Sequence, residues 1–384
     1  MTAPVIVAAR RTPIATAGRG LRAVTVDELA VRVVSAVTED VRTAGVTTAV
    51  DDVVLGNCTG PGGNLARVTA LAAGLGETVP GVTIDRQCGS GLAAIVQAGQ
   101  AVRSGDAALV VAGGAESAST APRRQHPGTA SGSGDTYERA RFTPPEYGDP
   151  DMGVAAENLA QRRGVSRDRQ DAYACASHAR ALDARAAGRF DRELVATVGV
   201  TVDDRPRKLS PAALARMPAA FVPGGTVTAG NSCPNSDGAA AVAVVGENIR
   251  ADAPGLRLVA SAVVGCDPRL PGWGPVPAVE RVLDTAGVDV GEVAAIEIVE
   301  AFAGQVLAVT DALGLDPLGA DAGLVCADGG ALALGHPWGA TGAVVMVRLF
   351  SRLVGGGAPA GTLGLATAAV GGGMGVAALV EVVR

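Results

Sequence analysis

Near the N-terminus, PVIVAARR is a continuous apolar run that reads as a short buried strand followed by a loop. From Thr25 the spacing changes: Leu29, Val33 and Val37 recur every four residues, which is one face of a helix. DDVVLGN returns to strand character, a Gly/Pro-rich loop covers 60–63, and a second helix is expected near 64–75. VTIDRQ reads as a strand that runs directly into Cys88-Gly89-Ser90-Gly91. Beyond it Leu92, Ile95, Val96, Gly99 and Val102 share a helical face, and Gly105 signals the end of that helix. ALVVAGGAES is again a buried strand ending in a glycine turn. This alternation predicts an α/β fold with a mostly parallel sheet covered on both faces.

The pattern breaks near residue 118. STAPRRQHPGTASGSGDTYERARFTPPEYGDPD is loop-like, and 151–195 reads as two charged helices. The apolar pattern returns at TVTAGN and DGAAAVAVVG. From about 251 the plan repeats: RLVASAVVG as strand, AVERVLDTAG as helix, AAIEIVEAF as strand, then GGALALGHPWGATG as a glycine-rich turn opening into a helix. GTLGLATAAVGGGMGVAALVEVV ends the chain as strand, glycine turn and strand. The expected organisation is an N-terminal half (1–118, completed by 226–250), an insert (119–225) and a C-terminal half (251–384).

Composition narrows the class. Of 384 residues 48% are apolar and 18% charged, enough to bury a large core and to exclude disorder. Only 3% are aromatic and 53 are glycine, so the interior must be thin layers of Ala, Val and Leu. The net charge of −6 argues against nucleic acid as a partner. No run approaches the ~18 apolar residues of a membrane helix, and no signal-peptide pattern opens the chain. A cytoplasmic protein is expected. Residues 121–225 carry sixteen basic against thirteen acidic side chains, so the insert is net positive in an otherwise negative chain. A solvated helical insert and an anion-binding one are both compatible with that charge.

Six cysteines stand singly at 58, 88, 175, 233, 266 and 326, without metal-ligand or redox spacing, so no metal site is expected. Neither a GxGxxG fingerprint with its downstream acid nor a GxxxxGK[ST] loop is present, which weakens dinucleotide and ATP readings. Cys88 stands where a strand is expected to end and a helix to begin, a place that favours thiolate; a small core residue is the alternative. His336 lies in a turn too glycine-rich to be helix, which suits a base. His126 and His178 are expected at the surface. Gly371-Gly372-Gly373 offers unshielded N–H groups, the material of an oxyanion hole or simply of a tight turn.

Together VIVAARRTPIATAGRG, RQCGSGLAAIVQAGQAVRSGDAALVVAGGAES, TVTAGNSCPNSDGAAA, VEAFAGQ, GGALALGHPWGATGA and GGGMGVAALVE resemble the thiolases over nearly the whole chain. The resemblance implies a five-layered αβαβα fold of two similar halves with an inserted loop domain, and a homodimer or homotetramer. It also implies acyl transfer between coenzyme A thioesters with no other cofactor and no metal. On that pattern Cys88 is acylated, His336 activates it and helps hold the thioester oxygen, and the N–H groups of Cys88 and Gly371 form a second oxyanion hole. The basic insert, Cys233 and Phe302 would contact coenzyme A.

Departures from the pattern matter as much. The family's second catalytic cysteine falls at Ala369, and the asparagine of its NEAF motif at Val299. Cys233 replaces a serine, and Val344 an arginine. Acyl loading needs only groups that are present, whereas carbon–carbon chemistry has lost its base. Losing a general base typically costs about 10²- to 10⁴-fold. The expectation is an acyltransferase whose acceptor is other than a standard acyl-CoA carbanion. The alternatives are an ordinary acetyl-CoA acetyltransferase or 3-ketoacyl-CoA thiolase using a different base, and a non-catalytic acyl-CoA-binding paralogue.

Overall fold

The computed structural model describes residues 2–128 and 132–384; Thr129, Ala130 and Ser131, inside the loop-rich insert, lie outside the described residues. In the N-terminal half the chain runs β1 (Pro4–Arg11), β2 (Ala15–Thr16), α1 (Val26–Thr43), β3 (Asp52–Gly56), α2 (Leu65–Ala72), β4 (Val82–Ile84), α3 (Ser90–Ser104) and β5 (Leu109–Ser117). The insert holds β6 (Arg124–Gln125), β7 (Thr136–Tyr137), α4 (Met152–Arg163), α5 (Arg167–Ala186) and α6 (Pro211–Ala215), and β8 (Ser236–Gly246) returns to the first half. The C-terminal half is β9 (Gly255–Gly265), α7 (Pro275–Ala286), β10 (Val293–Ile298), α8 (Ala303–Ala312), α9 (Ala331–Leu334), α10 (Trp338–Leu349), β11 (Leu363–Val370) and β12 (Met374–Val383).

Local chemistry explains most boundaries. Thr25 caps α1: the Glu28 carboxylate accepts its N–H at 2.8 Å, and Leu29, Val33 and Val37 form the buried face. Asn64 caps α2, and Gly105 ends α3 in the left-handed conformation that glycine adopts without steric cost. Helix α8 was not legible, because it is buried on nearly every side and carries no amphipathic period.

The strands join in the order β10-β11-β12-β9-β1-β8-β5-β3-β4. Only β10/β11, β3/β4 and β3/β5 pair in parallel; β5/β8, β8/β1, β1/β9, β9/β12 and β12/β11 are antiparallel. The sheet is therefore mixed, which corrects the mostly parallel expectation. One antiparallel pair follows directly from the chain: the Gly371–Gly373 connection is so short that it can only reverse direction and make β12 the neighbour of β11.

Three apolar clusters define five layers. The face of α1 packs on Val53, Val111 and Ala241 of the N-terminal strands. On their other side α3 and α10 form a central helical layer, with Leu92, Ile95 and Val345 among Val242, Leu258 and Ala378. Beyond the C-terminal strands lie α7 and α8, where Val279 and Val306 meet Ile296, Leu365 and Leu379. Being covered on both faces, β8 is buried at every position and reads as one apolar run. The central helices approach backbone to backbone. A Cβ on Gly91 would stand 2.7 Å from the Ala343 nitrogen, and one on Gly342 2.5 Å from the Leu92 nitrogen.

Candidate active site

The strand before the candidate nucleophile is shorter than VTIDRQ suggests. It stops at Ile84, where the Asp85 carboxylate accepts the Gln87 N–H at 2.8 Å and turns the chain. Gln87 takes a positive φ of 44°, and a single tight turn over 87–89 delivers Cys88 to the start of α3. From the other half, α9 ends at Gly335 with φ 118°, and His336 follows. The His336 N–H donates to Ser236 Oγ at 3.1 Å, which anchors the turn to β8. The result brings two residues 248 positions apart together: His336 Nε2 lies 3.3 Å from Cys88 Sγ.

A buried carboxylate holds the surrounding loops. Glu116, at the end of β5, accepts the N–H groups of Cys58 and Gly339 at 3.0 Å each, together with the Thr59 hydroxyl and N–H and the Asn57 amide. It thereby ties the loop after β3 to the first turn of α10. Glu116 escaped the sequence reading; its only signal was an acidic residue inside a strand otherwise buried throughout.

The pair opens into a cavity of about 740 Å³ lined also by Cys58, Cys233, Phe302, Ala369 and Gly371. All the candidate site residues thus meet there except Val299. That side chain is 1% exposed within the central core, and its N–H donates to Thr367 O at 3.0 Å. Phe142 from the insert lies over the glycine turn, its ring 2.9 Å from where a Cβ on Gly371 would stand. Cys326 is fully buried against the Ile298 backbone, and the Cys266 thiol lies near the Asp267 and Leu270 carbonyls, so neither lines the cavity that Ala369 does.

Electrostatics correct the expectation of a resting thiolate. Burial pushes the Cys88 thiol up to about 12, and the carboxylates of Glu116 and Asp85 add to the rise against a backbone N–H that lowers it. Burial also lowers His336 to about 4. The resting pair is therefore a neutral thiol beside a neutral imidazole. Burial likewise raises Cys233 to about 12, with Cys88 contributing.

His178 departs from its expected surface position. It is 1% exposed, and its Nδ1 accepts the Arg207 N–H at 3.4 Å because α5 packs that face against the 205–208 segment. Burial and the neighbouring Arg207 and Arg205 lower it to about 3. His126 is exposed, as expected. Among the described residues no group of three or more His, Cys, Asp or Glu side chains is placed to hold a metal ion, and no helix is long and apolar enough to cross a membrane.

Comparison with known proteins agrees along the whole chain. The family model for the thiolase N-terminal domain matches residues 4–248, and that for the thiolase C-terminal domain matches 253–382. A putative acetyl-CoA C-acetyltransferase of Bacillus subtilis is 42% identical over 339 residues, 87% of this chain and 88% of the relative. An acetyl-CoA acetyltransferase of Pseudomonas aeruginosa is 40% identical over 395 residues, 97% of this chain and 98% of the relative. The crystal structure of the Bacillus anthracis acetyl-CoA acetyltransferase superposes with a TM-score of 0.92 at 36% identity, covering 100% of this chain and 99% of that one. With both family domains matched end to end and the five layers in place, this chain belongs to the thiolase family.

Proposed function

We propose that this protein transfers acyl groups from coenzyme A thioesters through a thioester on Cys88. The observation that carries the reading is the 3.3 Å approach of His336 Nε2 to Cys88 Sγ at the floor of the cavity. The thiol proton passes to His336 as sulfur attacks the thioester carbonyl, and the Cys88 and Gly371 N–H groups hold the developing oxyanion. Collapse expels coenzyme A, which takes the proton from His336. Arg124 and Arg139 line the cavity, and Arg205, held down to about 10 by its burial and by Arg207, donates to the Ser232 carbonyl next to Cys233; these cations suit the phosphates of that anionic ligand.

The acceptor follows from Ala369. A methyl group there removes no proton from carbon, so the reading favours an acceptor that brings its own nucleophile, such as an amine, an alcohol or an acidic carbon. A second reading, ordinary thiolase chemistry, has equal support from the named relatives and a specific residue in its favour. Cys233 lines the same cavity and its Sγ makes no hydrogen bond to a described residue. Held protonated by burial, it suits proton donation to the carbon released when a 3-ketoacyl thioester is cleaved.

Two assays separate the readings. Both expect a Cys88 acyl adduct by intact-protein mass spectrometry. Ordinary thiolase chemistry further expects acetoacetyl-CoA thiolysis that Cys233→Ser abolishes without preventing the adduct. Absence of any adduct with acetyl-CoA and longer acyl-CoA thioesters would overturn both. We further propose that the chain works as a homodimer or homotetramer, as the family resemblance implies.

A further inference from the structure

His336 touches more than Cys88. On the far edge of its ring, Nδ1 lies 2.8 Å from the Thr341 hydroxyl. That hydroxyl also reaches back one turn of α10, where it donates to the Pro337 carbonyl at 3.0 Å. Both side chains are 2% exposed, so water does not compete for these bonds. A buried neutral imidazole carries one proton and has two places for it, and the neighbours decide which.

We propose that Thr341 is a positioning residue that fixes the tautomer of His336 with its proton on Nδ1. Because the hydroxyl hydrogen is engaged by the Pro337 carbonyl, the oxygen of Thr341 presents a lone pair to the ring. Nδ1–H donates to it, and Nε2 is left with the lone pair that faces the Cys88 thiol. Only this tautomer accepts the thiol proton during acyl loading; the other would aim an N–H at sulfur and keep its one lone pair on Nδ1, facing Thr341 and away from the thiol. The third member of the chain is an uncharged hydroxyl, with no carboxylate to stabilise an imidazolium. Such an arrangement passes the proton on to the departing coenzyme A sulfur and does not store it. The inference rests on the reading of Cys88 as the acylated group, and its first test does not depend on that reading.

The chain has three histidines, so a protein labelled with ¹⁵N-histidine gives few ring signals to assign, and His336→Gln identifies its own. The wild-type spectrum is expected to show His336 protonated on Nδ1 at neutral pH; protonation on Nε2 overturns the proposal. Thr341→Val removes the acceptor and is expected to shift the proton to Nε2. Its Cys88 acylation rate by acetyl-CoA should fall by about 10²-fold or more. Thr341→Ser keeps the hydroxyl and is expected to retain the wild-type tautomer and a loading rate within about threefold, since proton transfer is preserved. A Val variant with unchanged tautomer and rate, or a Ser variant as impaired as Val, reduces Thr341 to a packing residue and overturns the assignment. If the Val variant does not fold, the wild-type spectrum and the Ser variant decide. If no thioester acylates Cys88 in the wild type, the functional reading fails, while the spectrum still judges Thr341.

Discussion

The reactivity proposed for Cys88 and His336 would come from position, since burial keeps the thiol protonated and the imidazole neutral. With the thiol raised to about 12 by burial, the thiolate fraction, and with it the alkylation rate, rises with pH throughout the neutral range. Iodoacetamide modification of Cys88, followed by peptide mass mapping, is expected to accelerate steadily between pH 7 and pH 9; a plateau reached near pH 7 would mean a preformed thiolate. Ala369 makes a second test at this scale. It faces the cavity while Val299 is sealed in the core, so Ala369→Cys alone is expected to bring in carbon–carbon chemistry. If wild-type thiolysis is negligible, that variant should raise it by about 10²-fold or more, the worth of a general acid or base. Adding Val299→Asn buries an amide without an evident partner and is expected to cost about 1–3 kcal/mol of stability, read by denaturant titration. No gain with Ala369→Cys would contradict the role given to position 369.

At the scale of elements, the site depends on how closely two helices meet. α3 carries Cys88 at its start and α10 follows His336, and their glycines let them pack at backbone distance. Gly91→Ala places a methyl 2.7 Å from the Ala343 nitrogen, too near for either helix to stay where it is. It is expected to destabilise by about 1–3 kcal/mol through overpacking. Acyl loading should fall more than stability alone explains, because the 3.3 Å sulfur–nitrogen approach opens. Wild-type loading at unchanged stability would show that the helices have slack. These elements were largely legible beforehand. Leu29, Val33 and Val37 marked α1, glycine stops marked the helix ends, and glycine-rich turns marked both candidate catalytic residues. What was illegible is non-local: strand direction follows from tertiary pairing, and Glu116 and Thr341 act through hydrogen bonds to loops distant in sequence or to a ring in the next turn. His178 was misplaced because charged neighbours on α5 say little about the one face that turns inward.

Across the whole molecule, buried charges lock the insert to both halves. Arg11 of β1 pairs with Glu193 at 2.6 Å and Asp203 at 2.7 Å, while Arg348 of α10 pairs with Glu193 and Asp328. Glu193→Gln leaves Arg11 with Asp203 alone and Arg348 with Asp328 alone, and is expected to cost about 1.5–3 kcal/mol, measurable by denaturant titration. Acid should act on the same global stability. His336 and His178 have folded values of about 4 and about 3, below the ordinary 6.5, so the unfolded chain binds more protons between those limits. Their contribution is whole above about pH 6.5 and is lost as pH falls toward 4. The melting temperature is expected to drop across that window, and less steeply in His178→Gln; an identical slope in that variant would show that His178 is not a source of the proton uptake.

Whether Cys88 carries the acyl group is read most directly by intact-protein mass spectrometry after brief exposure to acetyl-CoA. A gain of one acetyl group is expected that maps to Cys88 and vanishes in Cys88→Ala. Its formation should be sharply slowed in His336→Ala. A protein whose mass never changes, or an adduct that survives loss of Cys88, would contradict that role for Cys88.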